Sequence, residues 1–320
     1  REKPLSGVAR VCSIFGKQRQ AYYKAEKRQE KSFLKEDLVV EKVKELRQLH
    51  PRMGCLKLHH KLKRFLGEHH IKLGEKKFRE LMRKRGLLVR TRRKHVRTTD
   101  SNHNFRKYGN LIKEKAAARP EEIWVTDITT AVAAYIKSFN NFSYLSLVTD
   151  AYSKKLMGWS LRNSLTMEGP LDALRMALAN RKYPDRDLIH HSDRGIQYCS
   201  RPYIKLLRKN NIAVSMTQTG DPYDNILAER MNNTVKNELL EGSGLGSIHS
   251  GSRKLGRLIR AYNSERPHWS LDFRTPDEVH ELDLKVKKKW KKKKYEKRKK
   301  MSLFEKYKKE NPNNPLFNPL

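Results

Sequence analysis

Cysteine is scarce in this sequence. Its 320 residues hold three, Cys12, Cys55 and Cys199, with no C-x-x-C pair among them. That excludes a disulfide scaffold or a zinc ribbon and fits a reducing compartment. Long apolar runs are missing too: no stretch approaches the roughly 20 consecutive apolar residues of a membrane span, and none has the layout of a secretory signal. Acidic side chains are in short supply at both ends. Residues 1–120 carry 35 Lys or Arg against 12 Asp or Glu, and residues 281–320 carry 15 against 5. Residues 121–280, by contrast, carry 21 against 18. Two strongly basic ends flank a nearly neutral middle, for a formal net charge of +36. A polyanionic partner is the simplest reading, because Lys and Arg neutralise phosphates and release their condensed counterions. Charge kept for solubility, or for an acidic membrane surface, is the alternative. With 37% apolar residues the chain can still bury at least one sizeable core.

Hydrophobic periodicity divides the chain into four parts. Residues 1–90 read as short helices with basic outer faces. Val8, Val11, Cys12 and Phe15 recur at helical spacing until Gly16, and a short helical piece covers 18–24. Leu38, Val39, Val43 and Leu46 lie on one side of a helix over 36–49 that stops before Pro51,. A turn at Arg52-Met53-Gly54 leads to a helix over 55–66, and Gly67 and Gly74 bracket the connection to another over 75–85. This is the helix-turn-helix pattern, in which one helix enters the major groove. Residues 91–120 have little periodic apolar signal and read as a basic linker, with Arg92, Arg93 and Lys94 as candidate phosphate contacts. From 121 to 280 strands are predicted at 123–128, 144–149, 156–161, 188–191 and 213–217, and helices at 169–179, 202–209 and 225–240. Three antiparallel strands followed by alternating helices and strands give an α/β fold with a mixed sheet covered by helices, the ribonuclease-H-like order. Residues 281–320 form a Lys-rich tail, with 15 of the 25 residues from 285 to 309 basic.

The carboxylates carry the chemistry. Asp127 ends the first predicted strand, Asp193 follows the fourth, and Glu229 lies one turn into the long helix. Ligands and catalytic groups gather at such strand ends. Three converging acids with no interleaved Lys or Arg repel one another, and hard divalent cations relieve that repulsion, Mg²⁺ above all. Two ions about 4 Å apart can activate a nucleophile and stabilise the leaving oxygen of a phosphoryl displacement. On the long helix, Asn225, Glu229, Asn232 and Lys236 fall on one stripe, which suits metal plus DNA backbone, and Asp224 is placed to cap the helix,. Trp124, Trp159, His190 and His191 read as core residues and Asp150 as structural.

The central region resembles the DDE transposases of bacterial insertion sequences, the integrase-like second-frame products of two-frame elements. The matching stretches are Trp124-Val125-Thr126-Asp127-Ile128-Thr129, His191-Ser192-Asp193-Arg194-Gly195-Ile196-Gln197-Tyr198, Tyr223-Asp224-Asn225-Ile226-Leu227-Ala228-Glu229-Arg230, and Tyr262-Asn263-Ser264-Glu265-Arg266-Pro267-His268, closing with Thr275-Pro276. The interval between Asp193 and Glu229 is the family's, and Lys236 stands where the family has a basic DNA contact. The resemblance implies a catalytic triad of Asp127, Asp193 and Glu229 holding two Mg²⁺ or Mn²⁺ ions. Water would free a 3′-OH at the element's end, and that hydroxyl would attack a second phosphodiester without a covalent protein–DNA intermediate. Asn225 and Lys236 would position DNA backbone, and Arg266 and His268 would touch DNA or the sheet, the structural role being the favoured one.

Double-stranded DNA, as element ends and target, is the implied partner. The protein is expected to act as a homo-oligomer on DNA, with an upstream-frame helix-turn-helix protein as a candidate associate and a cytoplasmic, nucleoid-associated location. Two features depart from the family: the Lys-rich tail, and Leu271-Asp272-Phe273 in place of Leu-Gly-Tyr. The alternatives are a retroviral-type integrase, a nuclease of the same fold, and a catalytically inactive or regulatory DNA-binding protein. The first of these usually carries a His-His-Cys-Cys zinc module, whereas His59-His60 and His69-His70 have only Cys55 nearby,.

Overall fold

The computed structural model describes residues 7–89, 105–113, 116–131, 143–218, 225–240 and 247–286. Asp224, Arg92, Arg93, Lys94 and the Lys-rich tail from residue 287 lie outside the described residues.

β1 (Ile123–Ala131), β2 (Ser143–Asp150) and β3 (Leu156–Arg162), apolar runs with β2 and β3 buried on both faces along most of their length, form an antiparallel meander. β4 (Leu188–Ser192) and β5 (Ile212–Met216) join beyond β1 in parallel, giving the order β3-β2-β1-β4-β5. Parallel strands need crossovers. α5 (Glu168–Ala179) supplies the first, and α6 (Ile196–Cys199) with α7 (Arg201–Lys209) the second. All three pack on one face of the sheet around Trp124, Val148, Met157, Leu174, Tyr203 and Leu207. α5 approaches β3 so closely that a Cβ on Gly158 would lie 2.0 Å from the Ala173 carbonyl oxygen. Only glycine fits there.

The other face is covered by α8 (Ile226–Thr234), the π-helical stretch Val235–Leu240 that continues it, and α9 (Ile248–Glu265). Leu255, Leu258, Ile259 and Tyr262 of α9 pack with Val235 and Leu239 on Leu145, Leu147 and Leu161. α9 was not expected, although its apolar residues keep the i, i+3, i+4, i+7 rhythm. α10 (Pro276–Glu281) starts at Thr275, whose hydroxyl accepts from the Glu278 amide while the Glu278 carboxylate accepts from the Thr275 amide. This capping box explains the Thr275-Pro276 pair as a helix start. α10 is fastened by a fully buried polar chain. Ser153 Oγ stands 3.0 Å from His280 Nδ1, and His280 Nε2 stands 3.1 Å from the Glu121 carboxylate. Asp150 accepts from the Glu121 amide and the Ser153 hydroxyl, which makes it structural, as expected.

In the N-terminal region α1 spans Gly7–Ile14 and α2 spans Arg19–Leu49. The two helices expected at 18–24 and 36–49 are therefore one, because nothing between them breaks a helix: 25–35 holds neither Gly nor Pro,. The apolar spacing of α1 does not make a core face. Cys12 is buried, but Val11 and Phe15 are exposed. The second half of α2 packs with α3 (Cys55–Glu68) and α4 (Glu75–Lys84) around Val39, Val43, Met53, Leu58, Leu62, Phe78 and Met82. The described part of the expected linker is not a free basic strand. Met216 donates its amide to the Gly109 carbonyl, the Leu111 amide donates to Ser215 Oγ, and Ile112 and Ala117 pack beside Ile123 and Val125.

Candidate active site

Parallel pairing of β1 with β4 matches Ile123 to Ile189, Trp124 to His190 and Val125 to His191. Two residues beyond the last pair on each strand stand Asp127 and Asp193. The register therefore carries both acids to one edge of the pairing, on the side facing α8. Trp124 and Ile128 point the other way, as does the Thr126 hydroxyl, which donates to the Tyr198 hydroxyl at 3.0 Å. His190 and His191 are buried beside them, bonded to Tyr203 and Ser215. Asp193 begins a tight turn: its Oδ1 accepts from the Gly195 amide at 3.0 Å, which orients the carboxylate just past the strand end.

Burial raises the Asp127 carboxyl to about 8, and the Asp193 and Glu229 carboxylates push it the same way. The three acids therefore share one electrostatic environment. Asn232 opposes the shift by donating to Asp127 Oδ2 at 2.6 Å. Among the described residues no three His, Cys, Asp or Glu side chains stand close enough to hold one ion. The donor set nevertheless fits a hard divalent cation. It consists of carboxylate oxygens, and the buried Asp127 has a raised proton affinity that a bound cation would replace.

The stripe along α8 faces β1, with a different use from the one expected. Asn225 is buried at 8% exposure and donates its amide to the Thr126 carbonyl at 3.2 Å, so it holds the helix to the strand instead of meeting DNA. Lys236 donates to Thr129 Oγ1 at 3.1 Å, and burial lowers its pKa while the Asp127 carboxylate works against that. Its ammonium lies beside the acids, half-buried. Arg266 is the clearest correction. At 2% exposure it cannot reach a DNA backbone. It forks onto Glu238 instead, at 3.0 Å and 2.6 Å, and Lys57 of α3 reaches the same carboxylate at 3.3 Å. The Arg52 amide donates to the Glu238 carbonyl, and Lys61 pairs with Glu265 at 2.9 Å. These contacts dock the helical region on the α/β core. His268 is half-buried, bonded to Ser270 Oγ, and pushed to about 3 by burial, with the Arg266 charge adding to it. It is a neutral packing group. Asp272 and Phe273, where the sequence departs from Leu-Gly-Tyr, have φ of 56° and 62°, and Phe273 stacks on His60 of α3.

Asn232 lies on the expected stripe, but nothing local in the sequence marks its bond to Asp127 or the burial of Glu238. The buried position of Glu238 comes from Arg266 and Lys57, both remote in sequence.

A model of the integrase core domain matches residues 117–222, a second integrase core model matches 210–276, and a helix-turn-helix-like domain matches 34–95. Transposase InsF for insertion sequence IS3A of Escherichia coli is 35% identical over 205 residues, 63% of this chain and 69% of that protein. The chain belongs to the integrase-type insertion-sequence transposases. A putative transposase for insertion sequence element IS986/IS6110 of Mycobacterium tuberculosis is 32% identical over 58% of this chain and 67% of its own length. The catalytic core of the HTLV-2 integrase, solved in complex with magnesium, aligns with a TM-score of 0.40 at 19% identity, over 50% of this chain and 97% of that one. The transposase thus carries an integrase core behind a helix-turn-helix-like region, and its function is DNA transposition by integrase-type polynucleotidyl transfer. No helix among its described residues is long and apolar enough to cross a membrane.

Proposed function

We propose that this transposase cuts and joins the ends of its insertion sequence with Asp127, Asp193 and Glu229 as the catalytic acids. The observation that carries the reading is the β1–β4 register, which brings Asp127 and Asp193 to one edge of the pair, with the helix that carries Glu229 bonded to Asp127 through Asn232. The chemistry that two Mg²⁺ or Mn²⁺ ions supply in such a site is activation of an oxygen nucleophile and stabilisation of the leaving oxygen. The chain's part is to hold the carboxylates in place, while a bound cation would offset the burial and like charge that favour protonation of Asp127,. The Asn232 amide keeps Asp127 Oδ2 in a fixed direction, and the Gly195 amide does the same for Asp193. Lys236 brings a positive charge to the same edge, where it can neutralise a backbone phosphate.

Two in-line displacements follow. In the first, a water oxygen bonds to the phosphorus at the element's end and the bond to the 3′ oxygen breaks, releasing a 3′-OH. In the second, that hydroxyl oxygen bonds to a target phosphorus, loses its proton and displaces the target's own 3′ oxygen. Because two ends must be joined to one target, the acting species is a homo-oligomer on duplex DNA, and an upstream-frame helix-turn-helix product is a candidate associate. The test is incubation of the full chain with Mg²⁺ and a labelled duplex bearing an element end, beside Asp193→Ala. Nicks at the 3′ end plus joined products, both absent with Asp193→Ala, are expected. Binding with no cleavage by the native chain, even in Mn²⁺, would leave only a regulatory DNA-binding role.

A further inference from the structure

The outer face of α9 takes no part in the site described above. Its inner residues Leu255, Leu258, Ile259 and Tyr262 are buried on the sheet, while Arg253, Arg257 and Arg260 are exposed on the opposite side. Their i, i+4, i+7 spacing puts the three guanidinium groups on one stripe about 10 Å long at 1.5 Å per residue. Over that length one strand of B-DNA presents about three phosphates. None of the three arginines has an ion-pair partner among the described residues, so their charge is uncompensated locally.

The stripe borders an open groove of about 680 Å³ lined also by Trp159, Ser250, Ser252 and Gly256. Gly256 shapes the groove. A Cβ there would lie 3.1 Å from the Trp159 ring, so glycine lets the indole lie close on the helix without shifting. Trp159 stays half-buried, and β3, which carries it, is the edge strand of the sheet. The groove is therefore open sideways as well as outward. It lies over the same face of the sheet as Asp127, with β2 between the two strands.

A row of exposed arginines, the Ser252 hydroxyl and an aromatic wall describe a surface for nucleic-acid backbone, without the arrayed base-reading groups that sequence selection needs,. We propose that the α9 groove binds the phosphate backbone of duplex DNA irrespective of sequence, and holds target DNA beside the catalytic edge. The inference rests on the transposition reading for its use, but the binding itself is independent of the catalytic acids.

The experiment compares the native full chain with R253Q/R257Q/R260Q, R257Q and D193N. Binding to a labelled 30-base-pair duplex lacking any element end is followed by anisotropy from 50 to 200 mM salt. Three lost phosphate contacts lower the slope of log K against log salt by about 2.7, so this salt rise weakens the native chain about 40-fold more than the triple variant. R257Q alone is expected to lower the slope by about 0.9. D193N should leave it unchanged, which separates this proposal from the assignment of the acids. On a pre-nicked element end, the triple variant is expected to join fewer products to naked target DNA while still hydrolysing the element end. An unchanged slope in the triple variant overturns the proposal. So does sedimentation showing that a native dimer becomes monomeric in the triple variant without DNA, because the groove is then an interface between two copies.

Discussion

Replacing Arg266 by Met should unfasten the helical region from the core. Methionine keeps most of the side-chain volume and removes the fork onto Glu238, whose carboxylate is only 15% exposed. Removing one member of a buried ion pair typically costs about 3–5 kcal/mol. Lys57 still faces the stranded carboxylate at 3.3 Å, so the lower end, about 3 kcal/mol, is expected. For a chain of 320 residues, with an unfolding entropy of about 2.1 cal/mol/K per residue, that is a fall in Tm of about 4–5 °C,. The pH dependence supplies a second check. Burial works to raise the Glu238 carboxyl, but the Arg266 hydrogen bonds and charge, helped by Lys57, bring it below its ordinary value. A depressed carboxyl contributes stability that is present above the unfolded pKa and lost as pH falls through the folded one. Arg266→Met lacks that contribution, so its deficit should be full at pH 7 and shrink below about pH 4. Lys57 behaves oppositely. Burial pushes its ammonium down to about 8, with the Arg266 charge adding to it, so its charged form is a cost to the folded state that disappears as pH rises from 8 towards 10.5,. Lys57→Met is expected to leave Tm unchanged or raise it at pH 7. Thermal denaturation at pH 4, 7 and 9 measures all three quantities. A fall of less than 2 °C for Arg266→Met at pH 7, or an equal fall for Lys57→Met, would refute this account of the dock.

Gly158→Ala should destabilise the fold by about 3 kcal/mol or more, read as a lower urea midpoint, because the new methyl meets the Ala173 carbonyl and the Ala177 amide and α5 must move off the sheet,. Asn232→Ala removes the donor that orients the Asp127 carboxyl, a bond worth about 1.5–3 kcal/mol when a cation holds that group ionised, and should slow end nicking about 10- to 100-fold with duplex affinity unchanged,; a matching loss of affinity would show that Asn232 acts on DNA directly. His280→Ala opens the buried chain between Ser153 and Glu121 and should cost about 2–4 kcal/mol in urea unfolding while leaving nicking at 25 °C intact, since the chain lies away from the acids,.

What the sequence disclosed follows the range of the forces involved. The strands were legible because short apolar, β-branched runs between turn residues are a local signal, and all five fall within one residue of expectation except at the end of β1, which runs on three residues to Ala131. The acids were legible because strand ends and one helical turn fix where they converge. α9 was not expected although its apolar rhythm is regular; Gly251, Ser252 and Gly256, close after the Gly- and Ser-rich 242–247, weaken the local helix signal,. Arg266 stays open between DNA and the sheet in the sequence for a different reason. An arginine in a basic, DNA-directed chain looks like a phosphate contact unless its partner is known, and Glu238 is marked as that partner only by the packing of α3 and α9 around it. Asn225 repeats the lesson on a smaller scale: its place on the stripe was right, but a helix face directed at the acids also faces the strand that carries one of them.

That shared strand explains how Glu229 is positioned. α8 and its π-helical continuation are tied to β1 through Asn225 at Thr126, Asn232 at Asp127 and Lys236 at Thr129. Glu229 lies between the first two ties, so its backbone is fixed relative to Asp127 from both sides while its own carboxylate remains available. Two residues past Lys236, Glu238 turns to Arg266 and Lys57, and the same helix becomes the surface on which the helical region docks. A π-helical turn, with its extra residue, changes the direction in which later side chains leave the axis. Here that change falls between the last residue directed at β1 and the first directed at α3. The helix can therefore serve the acids with one half and the dock with the other without a break in the chain.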